Sequence, residues 1–189
     1  FYETNVKIYD THFENIFSED AINVFRSKFE ITNNTFNNIF SDAIDIDFSK
    51  GKIELTKFEN INNDAIDFSG SNSEISFINF DNVGDKGISV GENSFIIMND
   101  IIGNGSLVGI ASKDGSKTFA TNVNFTNVDY PFTAYQKKKA YKHGLLNIEN
   151  YKFDNYKKDF IKDSKSIIQD NKSKKKLGKN NKEIDKIIS

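Results

Sequence analysis

Cysteine and tryptophan are absent from these 189 residues, and the chain has one proline, one methionine and two histidines. Without cysteine there is no disulfide and no thiol chemistry. His12 and His143 lack the partners that a zinc site or a catalytic triad would need. Leucine is scarce and follows no leucine-rich-repeat spacing, which excludes that horseshoe. No apolar run is long enough to span a membrane as a helix, and no signal-peptide pattern is present. The chain starts at Phe1, partway through a unit of its own repeat. It is expected to be a fragment with additional sequence N-terminal to it.

What is present is one phrase repeated at a fixed interval. Phe36-Asn-Asn38-Ile39 with Asp42-Ala43-Ile44-Asp45 returns as Phe58-Glu-Asn60-Ile61 with Asp64-Ala65-Ile66-Asp67, then as Phe80-Asp-Asn82-Val83 with Asp85-Lys86-Gly87-Ile88-Ser89. The interval is 22, the signature of a solenoid. Extended both ways, the frame defines a Phe column (Phe13, Phe36, Phe58, Phe80, with Ile102 in place of Phe, then Phe125 and Phe153). A second column of small residues (Ala21, Ala43, Ala65, Gly87, Gly109) and a third of Ile8, Ile31, Ile53, Ile75, Ile97, Ala120 and Ile148 accompany it. Three columns imply three short strands per turn.

Alternation such as Ile44, Ile46, Phe48 on one side and Ala43, Asp45, Asp47 on the other follows a period of 2, and the Asn, Ser, Thr and Ile content disfavours helix. The expectation is a right-handed parallel β-helix of about seven turns over residues 1–161, since parallel crossovers are right-handed. Strands stack about 4.8 Å apart, so each repeated residue meets its own copy. Asn15, Asn38, Asn60, Asn82, Asn104, Asn127 and Asn155 are expected to pair as an amide ladder at one turn, and Gly51, Gly70, Gly91 and Gly115 to take positive φ at corners.

The phrases Asp64-Ala65-Ile66-Asp67-Phe68-Ser69-Gly70, Gly84-Asp85-Lys86-Gly87-Ile88-Ser89-Val90-Gly91 and Gly109-Ile110-Ala111-Ser112-Lys113-Asp114-Gly115 resemble the right-handed parallel β-helix repeats of the pectin-lyase-like superfamily. They are similar to repeats in bacterial surface proteins, some attached to CotH-type domains. The resemblance implies an extracytoplasmic location and a polysaccharide partner, an acidic one in much of the superfamily. Folds of this kind host lyases, hydrolases and epimerases but also serve as binding modules and shafts. The Asn-Thr-Asp, Asp-Asp and Gly-His-Gly pattern of polygalacturonase-like hydrolases is missing, as is the Asp-Pro-His-Asp pattern of mannuronan epimerases.

Charge is unevenly placed: residues 1–135 carry a balance of −11 and residues 136–189 a balance of +9. An acidic shaft with a basic end argues against nucleic acid along its length. An insertion at residues 136–144 and the Lys137-Lys138-Lys139 run, flanked by Tyr135 and Tyr141, mark a loosened turn whose rings and charges suit an anionic polymer or a plain solvated loop. Residues 162–189 form a Lys- and Asn-rich tail. Ile184, Ile187 and Ile188 there have the spacing of one short capping helix, and the composition of 170–182 equally fits disorder.

The candidate chemistry follows the small-residue column. Asn23, Asp45, Asp67 and Ser89 are expected on an outer face, with Asp47 and Ser69 two residues on and Asp20, Asp42, Asp64 and Lys86 at the adjoining corner. Asp45 beside Asp67 could share Ca²⁺ with neighbouring oxygens, which would bridge to an acidic sugar. Alternatively the pair could act as general acid and base in glycoside cleavage, or Lys86 or Lys113 could abstract a proton α to a uronate carboxyl. Catalysis would then rest on Asp45, Asp67 and Lys86, with Asp47, Ser89, Lys113 and Tyr135 binding substrate. The same columns also read as a solvated face. The sequence favours a non-catalytic carbohydrate-recognition or structural module over a polysaccharide-cleaving enzyme, with a self-associating shaft as a third reading.

Overall fold

A computed structural model describes residues 1–181 and Ile184. The chain winds as a parallel β-solenoid of about eight turns, one more than the repeats imply. Each turn has three faces. The first is built from Asn5–Tyr9, Lys28–Thr32 and Lys50–Glu54, the second from His12–Ile16, Thr35–Ile39 and Lys57–Ile61, and the third from Asp20–Phe25, Asp42–Asp47 and Ile66–Ser69. From Asn72 the bonding runs round the corners, so that Asn72–Gly91, Phe95–Lys113 and Lys117–Tyr135 each make a turn as one continuous strand. Every pairing between these turns is parallel, with Ile31 beside Ile53 and Ile53 beside Ile75.

The coil closes because each corner contains a residue in the left-handed region. Glu3, Arg26, Phe48 and Gly70 mark the corner after the third face. Asp10, Asn33, Leu55, Phe77, Asp100, Asn122 and Asn150 mark the one after the first face. At the corner after the second face stand Asn15, Asn38, Asn60, Asn82, Gly105, Asn127 and Asn155. Asn tolerates this conformation better than most residues, which explains its abundance at two of the three corners. The Asn ladder exists, with Asn82 Nδ2 donating to Asn60 Oδ1 at 2.8 Å and Asn127 to Asn104 at 2.8 Å. It is exposed rather than buried, and Asn60 and Asn104 donate instead to Asn37 and Asp81. Of the four corner glycines, only Gly70 and Gly115 have positive φ. Gly51 is required for space, since a Cβ there would lie 2.1 Å from the Phe29 carbonyl oxygen.

Inside, the Phe rings stack at 4.7 Å (Phe13 on Phe36) and 5.1 Å (Phe36 on Phe58). The small-residue column is small because a Cβ on Gly87 would meet the Phe80 ring at 2.3 Å. Two of the expected core positions are corrected. One extra residue enters at Glu92–Asn93, both left-handed, so Ile75 pairs with Met98 and Phe80 with Gly103 until the count recovers between Ser106 and Val108. Ile97 and Ile102 are therefore turned outward, 42% and 52% exposed. The Phe80 ring fills the space above Gly103 and meets Phe125 at 5.6 Å across the intervening turn. Phe48 and Ala43 are corrected too: Phe48 occupies a corner and is exposed, while Ala43 is buried with Ile44 and Ile46.

Ser27, Ser49, Ser71, Ser94 and Ser116 form an internal ladder at the corner after the third face. Each hydroxyl oxygen accepts the backbone N–H of the serine one turn before, at 2.9–3.1 Å from Ser27 onward. The coil does not end near Ile161. Ile167–Asp170 stacks on Leu145–Asp154, Lys179–Asn180 pairs with Ile161 and Lys162, and Lys176–Leu177 folds back antiparallel on Ile168 and Gln169. Within the stretch whose composition fits disorder, Lys176–Leu177 and Lys179–Asn180 are thus strand-paired. Ile184 is buried, whereas Ile187 and Ile188 of the expected capping helix lie outside the described residues. No helix among the described residues is long and apolar enough to cross a membrane.

Candidate functional site

The outward side of the third face is a grid of three columns, each rising one residue per turn. The corner column runs Asp20, Asp42, Asp64, Lys86, Val108, Tyr130. The middle column runs Asn23, Asp45, Asp67, Ser89, Ala111, Thr133, Ile161. The third runs Phe25, Asp47, Ser69, Gly91, and past the register shift Lys113 and Tyr135. The face is therefore acidic in the early turns and apolar in the late ones, with a mixed belt between.

Register alone brings Asp45 and Asp67 side by side, as the sequence implies. Asp45 Oδ2 accepts from Asn23 Nδ2 at 2.7 Å. Burial, then Asp47, Asp67, Asp20 and Asp42, push its carboxyl up to about 8, so it retains a proton at neutral pH. Burial likewise raises Asp20, Asp42, Asp47 and Asp64, with Lys86 working against the rise at Asp64.

Lys86 is buried, 3.5 Å from Asp64 Oδ1 and in contact with Asp85 Oδ2. Burial alone would lower its pKa, but the two carboxylates overcome this and hold it above the usual lysine value. A base must shed its proton near neutral pH, so Lys86 is corrected from proton-abstracting base to fixed cation. Lys113 lies across Gly91, where a Cβ would stand 2.9 Å from Lys113 Cε, and its Nζ is 3.8 Å from Asp67 Oδ1.

Tyr135 is also revised. It is 1% exposed, so its ring is not a platform for a polymer arriving from solvent. Its ring packs with Val108, Ala111, Ile161 and Ile184. Burial, then the carboxylates of Asp64, Asp85, Asp114 and Asp67, raise its hydroxyl strongly, which places that hydroxyl at the acidic edge of the apolar patch.

The belt holds buried polar atoms without hydrogen-bond partners: Asp67 Oδ1, Asp85 Oδ1, Ser89 Oγ, Asp114 Oδ2, Thr133 Oγ1 and Tyr135 OH. Ser89, Thr133 and Asp114 are wholly buried. Unpaired buried polar atoms are rare in native proteins, and here they gather on one face.

Asp67 is thus joined by Ser89 through the register and by Lys113 through charge, with Asp45 and Asp47 adjoining on the acidic side, while Lys86 pairs with Asp64 and Asp85 and Tyr135 is enclosed in the apolar cluster. Sequence reasoning missed Asp85, Glu92 and Asp114, and read Lys138 only as part of the Lys137–Lys139 run. Glu92 is held below its usual pKa by Lys138 and Ser69 against the opposing effect of burial, with Ser69 Oγ donating to it at 2.5 Å. Asp114 Oδ1 accepts the N–H groups of Lys137 and Lys138 at 2.7 and 2.6 Å, so the basic run is anchored to the face. The available signal was spacing: Glu92 and Asp114 stand one repeat apart, at the left-handed corner that Phe48 and Gly70 occupy in the repeats before. Among the described residues no three His, Cys, Asp or Glu converge as metal ligands would, Asp45 and Asp67 included.

No protein-family model matches the chain, and no curated protein matches it.

Proposed function

We propose that the third face is a carbohydrate-recognition surface on a β-helix module of the pectin-lyase-like kind, carried by a bacterial protein that works outside the cytoplasm. One observation supports it most: Asp45, Asp47, Asp67 and Ser69 stand side by side, only half-buried, on one outward face, with Lys113 Nζ 3.8 Å from Asp67 Oδ1. Sugar hydroxyls both donate and accept, and so match carboxyl and hydroxyl groups presented in a row. An acidic polysaccharide, the class the family resemblance suggests, would need a cation or the lysines to offset the carboxylates.

A panel of immobilised polysaccharides, probed with and without Ca²⁺, tests the reading. Retention is expected, weakened about tenfold or more in Asp47→Ala and Asp67→Asn, the loss of roughly 1.4 kcal/mol that one well-placed hydrogen bond represents. Both variants binding like the parent protein would overturn it.

A second reading is favoured by the proton retained on Asp45. A carboxyl protonated at neutral pH next to Asp67 has the form of a general acid with a carboxylate neighbour, as in glycoside cleavage. Release of shortened products, abolished in the Asp45→Asn, Asp67→Asn double variant, would establish it over simple binding.

A further inference from the structure

We propose that a groove along the corner after the third face is a second binding site, shaped for a glycan that carries sulfate or phosphate esters. It is separate from the third face, and its failure would leave the reading of that face untouched.

The groove, about 710 Å³ in volume, runs along the coil axis between Arg26, Phe48 and Gly70 at the corner and Lys28, Lys50 and Asn72 on the first face. Its lining sets Arg26, Lys28 and Lys50 against Glu3 alone, although residues 1–135 have a balance of −11. A cationic groove on an acidic shaft draws anions to one place.

The two lysines carry the argument. One outward column of the first face alternates its charges: Lys7 Nζ stands 3.3 Å from Glu30 Oε2, and Lys52 Nζ 3.2 Å from Glu30 Oε1. The column two residues away places Lys28 directly beside Lys50, one strand spacing of about 4.8 Å apart. Like charges in register repel, and neither ammonium has a partner among the described residues. Both side chains are exposed, so the pair is reachable from solvent. An anion held between them turns that repulsion into attraction.

The remaining groups select the anion and its carrier. Arg26, whose planar fork would suit a carboxylate, is turned to Glu3 at 3.6 Å and lies over the Phe25 ring at 5.0 Å. What stays free is two ammoniums, compact point charges that gain most from an oxyanion with oxygens pointing several ways, as in a sulfate or phosphate ester. Phe48 is 54% exposed and its ring lies across Gly70, where a Cβ would come within 2.5 Å of it. That flat apolar surface beside polar donors suits the apolar side of a sugar ring. A single-stranded nucleic acid would want one ring for each successive base, and the corner offers Glu3, Arg26 and Gly70 in the other turns.

The test is fluorescence anisotropy with labelled dextran oligosaccharides of one length, unmodified or bearing sulfate, phosphate or carboxymethyl groups, and with a thymidine oligonucleotide. The sulfated or the phosphorylated chain is expected to bind about tenfold or more tightly than the carboxymethylated one, and the tighter of the two identifies the ester. Lys28→Gln with Lys50→Gln should remove that binding and melt no lower than the parent protein, since the pair repels. Phe48→Asn, which keeps a residue tolerant of the left-handed corner, should weaken it severalfold. Equal binding of the carboxymethylated chain or of the oligonucleotide overturns the proposal, as does no binding of either ester. A double lysine variant that binds like the parent also overturns it, placing the contact on the basic end at residues 136–189, and Phe48→Asn binding like the parent overturns the choice of a glycan.

Discussion

Asp45 shows how much a single position can decide. Its side chain is held by the register next to Asp67 and one residue pair from Asp47, where water is scarce and carboxyls crowd it on the side away from Asn23. Because its folded pKa is raised to about 8, its contribution to stability is full below the unfolded value and is lost as pH rises through the folded one. The protein is expected to melt at lower temperature at pH 9 than at pH 6. Asp45→Asn should remove most of that dependence and stabilise the alkaline form by roughly 1–3 kcal/mol, allowing for solvent screening of a partly exposed group. Thermal melts of the two proteins across that range check it, and parallel pH profiles would sink the assignment. Gly103 makes a complementary case. A Cβ there would lie 2.1 Å from the Phe80 ring, so Gly103→Ala should cost about 1–3 kcal/mol by overpacking, read by chemical denaturation.

Among the elements, the corners govern the path of the chain. Ser71 Oγ accepts from Ser49 N at 2.9 Å and donates to the Ile46 carbonyl at 2.9 Å, closing two backbone groups that no water reaches. Ser71→Ala would strand the Ser49 N–H and should cost about 1–3 kcal/mol. The lengthened turn depends in the same way on Asp163, which accepts from Gln136 N at 2.8 Å, Ser166 N at 2.7 Å and the His143 ring at 2.9 Å. Burial opposes its charge, but these donors prevail and hold the carboxyl at about 2. A lowered folded pKa gives stability that is present above the unfolded value and lost as pH falls through the folded one. Between pH 5 and pH 2 the parent protein should lose about 1 kcal/mol that Asp163→Asn never had, the small figure reflecting partial exposure. Hydrogen exchange of residues 136–144 at both pH values reads the difference locally.

At the scale of the molecule, nearly every long-range pairing joins turns that are neighbours, so stability is close to a chain of interfaces. Phe58 stands at one end of the Phe13–Phe36–Phe58 stack with no exposure, 5.1 Å from Phe36. Phe58→Ala is expected to cost about 3–5 kcal/mol and to speed hydrogen exchange most in the turns directly above and below it. Uniform acceleration through Leu145–Asp154 would show that the coil behaves as one unit rather than as coupled turns.

The sequence by itself determined the solenoid, its period, the three faces, the small-residue column and the pairing of Asp45 with Asp67. A repeat writes each of these as a spacing, and stacked strands turn equal spacing into contact. It misplaced Ile97 and Ile102 because a one-residue insertion at Glu92–Asn93 is compensated before the next repeat, so the count over the whole turn conceals the slip within it. It read the Asn column as a ladder and not as a left-handed corner, because pairing and that backbone geometry both favour Asn. Only the tertiary structure decided that Lys86 is a paired cation, that Tyr135 is buried with its hydroxyl at the edge of the acids, and that Ile184 lies over Val108, Ala111 and Ile161. Those facts depend on which side chains lean across from neighbouring columns and on how residues beyond Ile161 return to the face. A one-dimensional period records the column a residue belongs to, and it carries neither the lean nor the return.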